Sequence, residues 1–117
     1  MGLRERIVRL IEEDHFDKAI FFARILKRNP EDRVWAYHQL GLAHLLKGEY
    51  GNAIPCFSNV IYGCEQSPSF RFQDWEEAYS FRSLAYHRLG KKPEAKADLD
   101  RAPYHPLVSM LVQDTIK

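Results

Sequence analysis

Five histidines, two cysteines and sixteen carboxylates are the side chains with which this sequence could do chemistry. Their spacing does not assemble a reacting set. His38 and His44 are six residues apart, so on one helix they point to different faces. His15 and His105 fall at turns. None has a Cys, Asp or Glu neighbour at metal-ligand spacing. Glu12, Glu13 and Asp14 are consecutive rather than opposed across a cleft. Ser80 and Ser83 lack the strand-to-helix setting of a nucleophile elbow. The six glycines are scattered, so no phosphate-cradling loop is present. Cys56 and Cys64 form neither a CxxC nor a zinc pattern and are expected as reduced, packed thiols. The sequence therefore predicts no catalytic residue, no metal site and no cofactor.

Composition narrows the class further. At 117 residues the chain is expected to form one domain, and 45% hydrophobic residues suffice for a modest core. Charges of both signs are interspersed and the formal net charge is +1, which gives no pull toward a polyanion. The single triplet Phe70-Arg71-Phe72 is too little to make a nucleic-acid surface. No apolar run reaches membrane-spanning length. Arg4, Glu5, Arg6 and Arg9 interrupt any signal-peptide core, and Arg6 spoils a myristoylation start. A cytoplasmic protein without nucleic-acid or membrane partners is the expectation.

The elements follow from apolar periodicity. Leu3, Ile7, Val8, Leu10 and Ile11 recur at helical spacing. Asp14-His15-Phe16 breaks that helix. A second helix, from about residue 17 to 28, carries Ala19, Ile20, Phe22, Ala23 and Leu26 and ends at Asn29-Pro30. Asp32 is a plausible N-cap for a third, about residues 33 to 47. That helix is apolar on more than one face, through Trp35, Tyr37, Leu40, Leu42, Ala43, Leu45 and Leu46. Gly48 supplies a turn. A fourth helix spans about 52 to 62, with Pro55 in its first turn. Asp74 with Glu77 resembles a capping box opening a fifth helix. Pro93 opens a sixth, Pro103 stops it, and Pro106 can start a short seventh. Ala19 precedes Ala53 by one 34-residue period, whereas Gly48 and Gly90 are 42 residues apart. The eight extra residues fall between Gly63 and Gln73, either as a loop or as extensions of the flanking helices.

The central hairpin reads Tyr37, Leu40, Gly41, His44, then Gly48, Tyr50, Ala53 and Phe57. It resembles the tetratricopeptide repeat, W-x2-L-G-x2-Y followed by A-x3-F. The resemblance extends over nearly the whole chain. It implies an all-α, right-handed α-α superhelix of three helix hairpins plus a capping helix. Repeat one would span about 2–31, repeat two 33–64, a loop insertion 63–73, repeat three 75–103 and a C-terminal helix 106–117. The last element either caps the array, lies in its groove or docks on a second copy. The N-terminal edge shows no matching cap, which fits either a piece of a longer array or an edge that meets a partner.

The resemblance also implies a concave groove lined by the first helix of each hairpin. Carried over, its partner-binding positions are Arg4, Val8, Trp35, His38, Gln39, Leu42, Leu45, Leu46, Phe81, Leu84, His87 and Arg88, and they describe a mainly apolar groove with a polar margin. Such a groove suits an amphipathic helix or an extended peptide. The carboxylate clamp of chaperone-binding relatives is not present as a set. Val8 stands at an Asn position, Gln39 replaces another, and Glu77 and Phe81 occupy two basic ones. Glu77 would repel a carboxylate, while Arg82 and Arg88 could meet an acidic residue on a partner. The function expected is a non-catalytic protein-binding module or adaptor. The alternatives are a self-associating structural subunit, or a secretion-type chaperone shielding an apolar segment of its cargo.

Overall fold

The computed structural model describes residues 2–67, 72–103 and 105–107, and the C-terminal segment expected as a seventh helix lies almost wholly outside them. Among the described residues there are six α-helices and no strand: α1 Leu3–Glu12, α2 Phe16–Leu26, α3 Arg33–Leu46, α4 Tyr50–Gln66, α5 Phe72–Arg88 and α6 Lys92–Arg101. Each helix packs on the next. In addition α1 touches α3 and α3 touches α5. The odd-numbered helices therefore form one layer in direct mutual contact, which makes theirs the shorter, inner side of the stack.

The three hairpins turn in the same way. Asp14, Gly48 and Gly90 all have positive φ, at 62°, 85° and 76°. After each, an amide returns to a carbonyl five residues back: His15 to Leu10 at 2.8 Å, Glu49 to His44 at 2.8 Å and Lys91 to Tyr86 at 2.9 Å. This is the Schellman closure, which satisfies carbonyls at a helix end.

Two apolar clusters meet on α3. Ile7, Ile11, Ala19, Ile20, Ala23, Leu40, Ala43 and Cys56 make the first. Leu45, Ala53, Phe57, Val60, Ile61, Cys64, Ala78 and Ala85 make the second. A helix shared by two cores must be apolar on two sides, and that explains the broad apolar surface of α3. Gly41 allows the closest approach: a Cβ there would lie 2.9 Å from the ring of the fully buried Phe57.

Several local expectations are corrected. Asp32 stands at the N-cap position of α3, but its carboxylate makes no capping bond. It accepts instead from Arg4 and, at 2.9 Å, from Asn29. Pro55 lies inside α4 rather than in its first turn, because that helix starts at Tyr50. The carbonyl that loses its donor belongs to Gly51, which is solvent-exposed, so water can take the bond. The residues expected as an insertion at 63–73 are partly helical: α4 continues through Gln66 and α5 begins at Phe72. Asp74 consequently sits within the first turn of α5, not ahead of it.

Arg82 meets an acid of its own chain rather than of a partner. Its guanidinium donates to both carboxylate oxygens of Asp98, at 2.8 and 2.7 Å, and to Ser58 Oγ at 3.0 Å. That fork ties α5 to α6 and to α4. The Asp98 hydrogen bond in turn raises the pKa of Arg82 above its ordinary value. Ser83 Oγ donates to the Ala95 carbonyl at 2.7 Å, a second buried link between α5 and α6.

Candidate functional site

A cleft of about 400 Å3 opens on the inner layer. Arg4 reaches it from α1. Val34, Trp35, His38 and Gln39 come from α3, Val60, Gly63 and Cys64 from the last turns of α4, and Asp74 and Glu77 from the start of α5, with Glu31 and Ser67 completing the lining. The extension of α4 beyond Tyr62 is what builds its floor. Gly63 lets α3 and α4 close there: a Cβ would fall 2.5 Å from Val34 Cγ2.

Its electrostatics are set by a few contacts. Arg4 Nη2 lies 2.6 Å from Asp32 Oδ1, and the guanidinium stacks 4.8 Å over the Trp35 ring. Its charge is thus matched inside the protein. His38 Nε2 stands 3.5 Å from Glu77 Oε2, while Nδ1 is shielded from solvent and has no hydrogen-bond partner among the described residues. The ring rests edge-on against Phe57 and Phe81, at 6.0 and 5.7 Å. Burial lowers the pKa of His38 below its ordinary value and outweighs the opposing charges of Glu77 and Asp74. His38 therefore stands in the cleft wall as a neutral imidazole at neutral pH.

The positions expected to line a groove divide into four groups. Arg4, Trp35, His38 and Gln39 converge on this cleft. Val8 borders a shallower depression of about 320 Å3 on the other side of Arg4 and Trp35. The apolar positions mostly pack inward. Leu45 is only 6% exposed and belongs to the second core cluster, which corrects its placement as a groove contact. Leu42 packs on the first cluster, and Leu84 and Phe81 on the second. Phe81 stacks on Phe57 at 5.5 Å and meets His105 edge-on at 6.2 Å. Leu46 is 53% exposed at the far end of α3, away from the cleft lining. His87 and Arg88, at the end of α5, line neither depression. The cleft lining accordingly mixes charged and polar groups with the apolar surface of Val34, Trp35 and Val60.

Sequence reasoning placed Glu77 at a clamp position of the inner face but missed Glu31 and Asp74 as lining residues, and the floor made by Gly63 and Cys64. The floor was hidden by reading the residues after Tyr62 as inserted.

Other titratable groups serve the fold. His44 Nδ1 lies 2.8 Å from Glu49 Oε1 across the Gly48 turn. Lys47 Nζ reaches back to Asp17 at 2.6 Å, joining the second hairpin to the first. Burial pushes the Cys56 thiol up to about 11, which leaves it protonated and inert. Among the described residues no three His, Cys, Asp or Glu side chains gather as a metal site. No helix among them is long and apolar enough to cross a membrane.

The tetratricopeptide-repeat family model matches residues 36–62, from the second turn of α3 into α4. No curated protein and no solved structure gives a significant match. Repeats of this family generally mediate contacts between proteins and are not in general catalytic. The match covers the α3–α4 hairpin, and the all-helical stack around that hairpin is consistent with a tetratricopeptide-repeat fold.

Proposed function

We propose that the chain is a non-catalytic protein-binding module that receives a segment of its partner in the cleft between α1, α3 and α5. One observation carries this reading: a cleft of about 400 Å3 on the inner layer gathers Arg4, Trp35, His38 and Gln39 from two helices far apart in sequence. Half-buried aromatic and amide groups around such an opening can seat an extended peptide and bond its backbone. The adaptor role follows from the same geometry, because a stacked array presents its inner face while its outer helices remain available.

The test is affinity capture from a lysate of the source organism with the wild-type chain and Gln39→Trp side by side. The indole would occupy the cleft from α3, and circular dichroism checks that the variant folds. A protein held by the wild type and lost with Gln39→Trp is the expected result. Equal retention by both would move the binding surface off the cleft.

A further inference from the structure

We propose that the outward face of α2 is a second docking surface, and that it takes a short acidic amphipathic helix of a partner protein. This surface lies away from the cleft and does not involve it.

Phe21 is 61% exposed and Ile25 is 43% exposed. They stand one turn apart on α2, and among the described residues no other two exposed large apolar side chains share a helix. The inward side of α2 is already used: Ala19, Ile20 and Ala23 are buried in the first apolar cluster. Phe21 and Ile25 belong to neither cluster. Phe22, half-buried, meets Phe21 edge-on at 5.4 Å and extends the apolar strip toward α1. A contiguous strip of this kind marks a contact surface more often than a single exposed side chain does.

Cations border the strip. Lys18 stands one turn before Phe21, Arg24 one turn after it, and Arg28 one turn after Ile25, just past the helix end. All three are exposed, and none makes a side-chain hydrogen bond or ion pair among the described residues. From α1, Arg6 lies 4.9 Å over the Phe22 ring. The one carboxylate of α2, Asp17, is held by Lys47 at 2.6 Å. Glu13 and Asp14 fall in the turn before α2, at the opposite end from Arg24 and Arg28. The strip is thus basic at its margin on a chain whose formal charge is only +1.

That margin selects the occupant. A second copy docked through the same face would set Arg24 and Arg28 against their own kind, and like charges in contact repel. A partner with carboxylates one turn outside two apolar residues meets the cations instead and lays its apolar pair on Phe21 and Ile25. A helix offers no edge for strand addition, so the segment that packs along it is itself a helix, ridges into grooves. Phe and Arg are also among the side chains enriched at protein interfaces. An anionic lipid surface would match the charge, but this strip is narrower than the apolar face with which a helix settles into a membrane.

The test is selection from a displayed library of randomised helical peptides on the full wild-type chain. The selected peptides are titrated by fluorescence polarisation against wild type, Phe21→Ser with Ile25→Ser, and Arg24→Glu with Arg28→Glu. All four positions are exposed, and circular dichroism checks each fold. The charge variant removes no apolar side chain, so it reports even if the serine variant unfolds. The expected peptides carry two apolar residues three or four apart, flanked by Glu or Asp. Either variant should bind them about tenfold more weakly, and raising the salt should weaken the wild-type complex. The charge variant should then bind better once the acids of the peptide become lysines. The proposal is overturned if no selected peptide loses affinity in either variant, whatever binds in the cleft, or if the peptides that do lose it lack acids. Sedimentation of the wild type as a dimer that the serine variant disperses would overturn it in favour of a second copy. Capture by phosphatidylserine vesicles, lost in the serine variant and with no such peptide selected, would overturn it in favour of a lipid surface.

Discussion

Arg82 is the side chain on which the third hairpin most depends. It carries a full charge into the packing of α5 against α4 and α6, and Asp98 answers it with a side chain only 6% exposed. The pair is worth little beyond a well-packed apolar pair, but breaking it strands a buried charge. Arg82→Met should cost about 3–5 kcal/mol in urea unfolding for that reason. The double variant Arg82→Met, Asp98→Leu should recover most of the loss. At this scale the sequence was only partly legible. Leu45 and Leu46 are adjacent and chemically identical, yet one is 6% exposed and the other 53%. Periodicity placed both on an apolar surface, and only the position of α4 and α5 separates them.

Each hairpin is closed by a residue in the left-handed region, and at this level the sequence speaks most clearly. Gly48 and Gly90 marked their turns, since glycine alone adopts positive φ without steric cost. Asp14 does the same work at φ 62°, one 34-residue period before Gly48. An L-residue in that region pays a steric penalty through its Cβ. Asp14→Gly should stabilise the chain by about 0.5–1 kcal/mol, seen as a higher midpoint in thermal unfolding. The exposed Asp14 carboxylate makes no hydrogen bond or ion pair among the described residues that would be lost. The same periodicity failed between α4 and α5, where the extra residues lengthen both helices. Gly63 there tightens the packing of α4 on α3 instead of ending a helix.

The molecule as a whole is a row in which each hairpin leans on its neighbours. Contacts run from α1 to α6 in chain order, with α3 common to both apolar clusters. In such a row stability is close to a sum of hairpin and interface contributions. Ile7 is fully buried in the first cluster. Ile7→Ala should therefore cost about 2–5 kcal/mol. In hydrogen exchange it should release the amides of α1 and α2 before those of α5 and α6. Uniform loss of protection across all six helices would show instead that the row opens as one unit.

The sequence by itself determined what is local along the chain. Apolar positions three and four apart gave the helices, left-handed turn residues gave the hairpins, and the period from Ala19 to Ala53 gave their stacking. The absence of ligand and nucleophile spacings turned the reading away from catalysis. The tertiary structure decided which side chains share a space. Glu31 lies more than forty residues before Asp74 and Glu77, and the three converge on one cleft only because α3 and α5 pack side by side. Leu42, Leu45, Phe81 and Leu84 turn inward because neighbouring helices take up both apolar sides of α3 and α5. Burial of apolar surface is non-directional along the sequence, so it settles where those side chains go only once the helices have met.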